Sequence, residues 1–196
     1  MTRRLLNIDI RSYWTSGTGR GGGALLDATT QRDPRGVPVL PGRHIKGLLR
    51  DAVTQAEQLA WPGFDGLADT LFGERGQELT HPARPGCLRV SDGQLPREVV
   101  DWLGSESGRD SRERLFRTVH STAIDPATGV ALDHSLRGYE VVIPLVLEAE
   151  IATIPARDAP SGWEQRLIEA LSLVRHVGAH RHRGLGRATL TLGEAS

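Results

Sequence analysis

The chain has 196 residues, 38% of them hydrophobic, with 24 basic and 24 acidic side chains and a formal net charge of zero. That length suits one domain with one modest core, and no apolar run approaches the roughly 20 residues a membrane helix needs. Neutrality removes the strongly basic signature of many nucleic-acid binders, and the single cysteine, Cys87, removes an internal disulfide and a multi-cysteine zinc site, so a reducing cytoplasm is the expected compartment.

The opening, MTRRLLNIDIRSYW, has basic residues but no long apolar region and no small-residue cleavage site. It reads as a strand rather than a signal peptide, with Leu6, Ile8 and Ile10 on one face and Asn7, Asp9 and Arg11 on the other. Ser16–Gly23, SGTGRGGG, is too glycine-rich for a regular element. From Leu25 to Pro41 the chain reads as a structured loop with short extended pieces. Ile45, Leu48, Leu49, Ala52, Val53, Ala56 and Leu59 then recur at spacings of three and four, an amphipathic helix of about four turns. Lys46, Arg50, Gln55 and Glu57 lie on its polar face, and Trp61-Pro62-Gly63 ends it. Leu67–Phe72 predicts a short helical turn.

Cys87–Leu95 predicts a short strand, with Cys87 buried at its start. Pro96–Arg114 predicts a short helix followed by a flexible stretch. Arg117–Ile124 and Val130–Ser135 flank the turn sequence Asp125-Pro126-Ala127-Thr128-Gly129, which suggests a protruding hairpin or loop. Tyr139–Ile154 predicts one long β-rich run. A second helix is expected over Gly162–Val177, capped by Ser161, with Trp163, Leu167, Leu171 and Val174 inward. Arg187–Leu192 gives the last strand. The order β, loop, α, β, insertion, β, α, β is a ferredoxin-like or RNA-recognition-motif arrangement, an α+β fold with inserted loops.

Chemistry concentrates in two glycine-rich segments, SGTGRGGG and GAHRHRGLGRA (Gly178–Ala188). Glycine lets backbone amides approach a phosphate closely, and flanking arginines offer planar donor forks. No G-x-x-x-x-G-K-[ST] loop is present, so a polymeric phosphate chain fits better than a single nucleotide. Pro41-Gly42 starts the first helix, whose N-terminal amides and dipole attract anions, and Lys46 and Arg50 share a face behind it. His176 and His180 have the spacing of a metal pair but lack an obvious third ligand. Tyr13 and Trp14 are expected in the core rather than stacked on bases. Asp33 is expected to hold a turn before Pro34.

The stretch LLDATTQRDPRGVPVLPGRHIKGLLRDA resembles the signature of the RAMP superfamily, the repeat-associated proteins that build type III CRISPR interference complexes. Leu71-Phe72-Gly73, LRVSDGQL, AIDPATGVALDHSLRGYEVV and RHRGLGRATL are similar to further family motifs, in the same order. The resemblance implies a single RAMP domain over 1–196, with insertions at about 14–42 and 96–137 and a thumb-like hairpin. It implies a guide-RNA-binding filament subunit, homo-oligomeric or beside sister RAMP subunits, with guide RNA, complementary target RNA and other CRISPR effector subunits as partners. It implies that Asp27, six residues before the Asp of Asp33-Pro34, cuts target RNA as a metal-dependent endoribonuclease carboxylate, with magnesium or another divalent metal. Such a carboxylate can ligate the metal or polarise the attacking hydroxyl.

The expected RNA-binding set is Arg20, Gly21, Gly22, Arg43, Lys46, Arg50, Arg117, His120, Arg181, Arg183, Gly184, Gly186 and Arg187, with Ile124 and Leu136 near the thumb. Arg43 and His44 stand where the family usually has small hydroxyl residues, and Pro126 where it usually has a basic one. A non-catalytic structural subunit of the same complex and a guide-processing ribonuclease are the rival readings, together with a small-molecule enzyme on the same fold.

Overall fold

The computed structural model describes residues 2–19, 28–74, 84–133 and 135–194. The first strand, β1 (Arg3–Ile10), alternates as its sequence demands: Leu6, Ile8 and Ile10 are buried, while Asn7 and Asp9 face out. It lies between two antiparallel neighbours, β5 (Leu145–Thr153) and β6 (Ala188–Glu194), with Ile8 opposite Leu147 and Leu190. The three-residue β2 (Leu88–Val90) pairs with the far edge of β5, giving the order β2-β5-β1-β6. With helices crossing from β1 to β2 and from β5 to β6, this is the ferredoxin-like arrangement expected from the sequence.

The helix α1 (Gly42–Gln58) covers the inner face of the sheet with Ile45, Leu48, Leu49, Ala52, Val53 and Ala56, all buried. It begins three residues before the first apolar position, and Gly42 is required there: a Cβ would strike the carbonyl oxygens of Val90 and Ser91. It ends before Trp61, at Gln58, and Ala60 has a positive φ of 54°. The short α2 (Leu67–Phe72) packs beside it, spanning the residues expected. The second main helix, α5 (Trp163–Leu171), adds Trp163, Leu167, Ala170 and Leu171 to the core.

Four expectations need correction. Pro96–Arg114 forms two short helices, α3 (Arg97–Gly104) and α4 (Arg109–Glu113), in place of one helix and a flexible stretch. The long β run breaks at Ile143-Pro144, because Pro144 has no N–H to continue a ladder. Its first part, β4 (Arg137–Val142), leaves the main sheet and pairs with β3 (Phe116–Ser121) as a separate two-stranded sheet. The second helix stops at Leu171, well short of Val177, and its N-cap is Gly162 in the left-handed region, with no side-chain hydrogen bond from Ser161. Val174 and Val177 remain buried, on irregular chain beyond the helix end. Tyr13 is 43% exposed, whereas Trp14 is fully buried and donates its indole N–H to the Ile143 carbonyl at 3.1 Å.

The turn before Pro34 is held as its sequence suggests: Asp33 Oδ1 accepts the Arg35 and Val37 amides, each at 2.9 Å. Cys87 is buried immediately before β2. Burial pushes its thiol up from its ordinary pKa. Among the described residues, no helix is long and apolar enough to cross a membrane.

Candidate nucleic-acid interface

The outer face of the four-stranded sheet carries Leu5, Asn7, Asp9, Val146, Glu148, Glu150, Thr189 and Thr191, by the pairing register. An RNA-recognition motif stacks bases on aromatic side chains at this face. Here the face offers carboxylates instead, two of them held by Arg11 and Arg3. Strand chemistry therefore directs a polyanion elsewhere, toward the loops.

Those loops converge. The segment after β1 runs beside the segment before β6: Arg11 donates its amide to the Arg187 carbonyl at 2.7 Å, Gly186 to Tyr13 at 2.7 Å, and Ala179 to Thr15 at 2.8 Å. The Ser12 hydroxyl accepts the Arg187 amide at 2.9 Å. The glycines of the C-terminal segment bend the chain that closely. Gly178, Gly184 and Gly186 all have positive φ, and a Cβ at Gly178 would collide with the Thr15 carbonyl oxygen. Between them Arg181–Arg183 form one 3₁₀ turn. His180 opens that turn at φ 56°, and its ring lies 5.1 Å from the ring of Tyr139 on β4. Ala28, the first described residue after Asp27, bridges the same Tyr139.

The start of α1 meets this loop. The Gly178 amide donates to His44 Nε2 at 2.9 Å, so the imidazole is a neutral acceptor. Burial, and then the neighbouring Arg181 guanidinium, hold His44 below its ordinary pKa. A recess of about 450 Å³ continues between α1 and the loop, lined by Leu48, Gln55, Val174, Arg175, His176 and Arg181 among others. The helix terminus itself is already capped: Asp92 Oδ1 accepts the Gly42 amide at 2.7 Å. The anion-attracting end read from Pro41-Gly42 thus has a carboxylate of the same chain on it.

Ion pairing separates the arginines into two populations. Arg3, Arg4, Arg11, Arg32, Arg35, Arg50, Arg84, Arg97 and Arg166 each meet a carboxylate. Arg89, Arg109, Arg114, Arg117, Arg137 and Arg157 are exposed without a carboxylate partner among the described residues and are spread over other elements, and so are five that gather in one place, Arg43, Arg175, Arg181, Arg183 and Arg187. All five belong to the α1 start or to the segment that leads into β6. The sequence reading included four of them; Arg175 was missed because it was read as helical, and Ser12, Thr15 and His44 because loop-to-loop hydrogen bonds leave no periodic trace.

Lys46 and Arg50 do share a face of α1, but it looks toward α2 and β2. The Lys46 ammonium donates to the Leu88 carbonyl at 3.3 Å, and Arg50 pairs with Asp69 at 2.7 Å. Burial, then Arg50 and Arg157, hold Lys46 below its ordinary pKa. Arg50 Nε is buried without a hydrogen-bond partner. These two cations are therefore held apart from the arginine loop.

Arg117 and His120 lie on β3, opposite Val141 and Gly138 of β4. Arg117 is turned back on its own chain, donating to the carbonyls of Arg114 and Phe116. Beyond them the hairpin continues to a tight turn in which Asp125 accepts the Ala127 amide and the Thr128 hydroxyl. These hydrogen bonds hold the Asp125 carboxyl below its ordinary pKa. Ile124, Val130, Leu132 and Leu136 leave large apolar side chains exposed on this hairpin.

Asp27, Arg20, Gly21 and Gly22 lie outside the described residues. Among the described residues, no three metal-ligating side chains gather. His176 and His180 are not successive turns of a helix, since α5 ends at Leu171; His176 bridges Arg187 while His180 packs on Tyr139.

The strand order, the helices on one face and the inserted hairpin define an α+β protein of the ferredoxin-like class. The RAMP superfamily model matches residues 8–189, and the chain belongs to that superfamily. A chain in the cryo-EM structure of the type III-B Cmr-beta complex bound to cognate target RNA is similar in fold. It has a TM-score of 0.72 at 12% identity, with 98% of this chain and 97% of that one covered. A chain in the apo-state type III-B Cmr-beta structure gives a TM-score of 0.68 at 11% identity, with 97% of each chain covered. No curated protein matches.

Proposed function

We propose that this chain is a guide-RNA-binding filament subunit of a type III CRISPR antiviral effector complex and that it cleaves bound target RNA with metal assistance. The observation that carries the RNA-binding part is the convergence of five arginines without carboxylate partners on one glycine-turned junction. A cluster of exposed guanidiniums, already ordered by backbone hydrogen bonds, is suited to charge-assisted contacts with successive phosphates. Membership in the RAMP superfamily and the likeness in fold to Cmr-beta chains support the same reading. The exposed apolar side chains of the hairpin suit a wedge between guide and target bases. Lys46 and Arg50 join the interface only if RNA competes with their present partners.

Catalysis rests on Asp27 by family resemblance. Glu140 accepts hydrogen bonds from Arg32 and from the Thr30 amide beside the chain that returns at Ala28, so its oxygens are already engaged. A magnesium ion here would be held by the Asp27 carboxylate and by RNA phosphate oxygens, where it would act as a Lewis acid on the scissile phosphate.

The test is a purified effector complex carrying Asp27→Ala. Target RNA should still bind, and cleavage at regular positions should disappear. Unchanged cleavage would remove Asp27 from the mechanism. A complex that binds target but cuts nothing even with Asp27 intact would make the chain a structural subunit, and cleavage of repeat RNA without target would make it a guide-processing ribonuclease.

A further inference from the structure

We propose that His44 is a positioning residue for RNA binding: its neutral ring pins the C-terminal arginine loop to the start of α1, and tight binding requires that pin. The proposal rests on the RNA-binding reading above and adds how the interface is held in shape.

The geometry is specific. His44 Nε2 accepts the Gly178 amide at 2.9 Å, one residue before Ala179 donates to Thr15. These two hydrogen bonds tie three segments together: α1, the strand-exit segment after β1, and the loop bearing Arg181 and Arg183. Gly178 cannot shift toward Thr15, since even a Cβ there has no room. The imidazole therefore holds the loop from its other side, against the backbone bonds to Thr15 and Tyr13. Protonation would convert Nε2 from acceptor to donor, facing the Gly178 N–H, and would place a second cation beside Arg181.

The charged groups around the ring are Arg43, which precedes it on α1, and Arg181 on the facing loop, where His180 and His182 flank Arg181. Thr15 and Ser16 on the third segment carry no charge. Asp51, further along α1, lines the recess beside Arg181, and no carboxylate among the described residues hydrogen-bonds the ring. The lowered pKa of His44 agrees with this, having burial as its first cause and Arg181 as its second.

The sign follows. Because the folded value lies below the ordinary 6.5, the pin is intact above that value. It weakens as pH falls from 6.5 and is lost through the lower folded pKa. A histidine that simply contacts phosphate behaves the other way, binding better as it gains charge.

The experiment measures guide-RNA affinity of the intact protein carrying His44→Gln, His44→Met or His44→Arg, each beside its melting temperature, across about pH 5 to 8. Glutamine keeps an acceptor oxygen at similar reach and does not titrate, so it should bind as the wild type does at neutral pH. The ratio of wild-type to Gln-variant affinity should then fall as pH drops below the ordinary histidine value. The Met and Arg variants should bind about tenfold more weakly, the scale of losing one or two charge-assisted contacts. A His44→Arg variant binding as tightly as the wild type overturns the proposal, as does a pH-independent ratio.

Failure of the wild type itself to bind RNA would instead refute the RNA reading. In that event nitrogen chemical shifts of the His44 ring decide the pin: Nε2 must be unprotonated at neutral pH, and the Gly178 amide must exchange faster in the Met variant than in the Gln variant. Any other pattern overturns it.

Discussion

Replacing Gly186 by alanine tests the closure of the C-terminal loop more directly than any charge change. Gly186 sits at φ 70°, donates its amide to Tyr13 at 2.7 Å and accepts the Val177 amide at 2.7 Å. An added Cβ would fall inside the envelope of the Val177 carbonyl oxygen, so the chain must move and both hydrogen bonds are at risk. Gly184 is the control. Its φ is 78°, yet a Cβ there meets nothing within 4 Å. Alanine at either position suffers left-handed strain of roughly 1–2 kcal/mol, offset by roughly 0.4–1 kcal/mol from a less flexible unfolded chain. Only Gly186→Ala adds the loss of two hydrogen bonds around the fully buried Val177, about 1–3 kcal/mol for each group left unsatisfied. The two variants should differ by roughly 2–6 kcal/mol, which for a chain of this size is roughly 4–24 °C in melting temperature. Differential scanning calorimetry of both proteins, side by side, is the assay. If they melt within about a degree of each other, the loop does not close over Val177 in this way, and the arginines it carries are not ordered as described.

A double Arg181→Ala, Arg183→Ala variant should weaken RNA binding and lower the slope of log affinity against log salt by about 1.4, or roughly 0.7 per lost contact to a single strand; an unchanged slope in filter binding would show that neither guanidinium touches phosphate. Trp14→Ala should destabilise the protein by about 3–5 kcal/mol in urea denaturation, because the side chain is fully buried, whereas Tyr13→Ala should cost about 1 kcal/mol or less. Equal losses at the two positions would contradict the burial contrast.

How far the sequence reveals this molecule depends on how local each cause is. The alternation of Leu6, Ile8 and Ile10 and the three-and-four spacing from Ile45 to Ala56 are local, and both elements form with the buried faces expected. The break at Pro144 is hidden because Val141 and Leu147 both alternate correctly on either side; only pairing with β3 and with β1 decides that they belong to different sheets. The short end of α5 is hidden for the same reason. Val174 and Val177 keep an apolar spacing after the helix has given way to irregular chain, since burial, not helicity, is what that pattern reports. Within the site, glycines and arginines marked the converging loops because backbone approach and charge are written in residue type. The ion-pair state of each arginine is not. Arg50 and Arg181 are the same residue in sequence, and only the fold gives one of them Asp69 as a partner.

That distinction resolves the apparent conflict between a formal net charge of zero and binding to a polyanion. Net charge governs fields felt beyond the screening length, which is about 8–10 Å in physiological salt. Closer than that, a phosphate responds to the charges at its own contact surface. Asp69, Asp101, Glu140 and Glu150 are occupied by arginines elsewhere in the molecule. They do not neutralise Arg43, Arg175, Arg181, Arg183 or Arg187. Internal pairing removes those cations from competition for RNA, and of the exposed arginines it leaves, Arg43, Arg175, Arg181, Arg183 and Arg187 stand around one backbone junction. A neutral total is therefore compatible with a local gathering of cations, and the hydrogen-bonded loops bring five arginines to one such place.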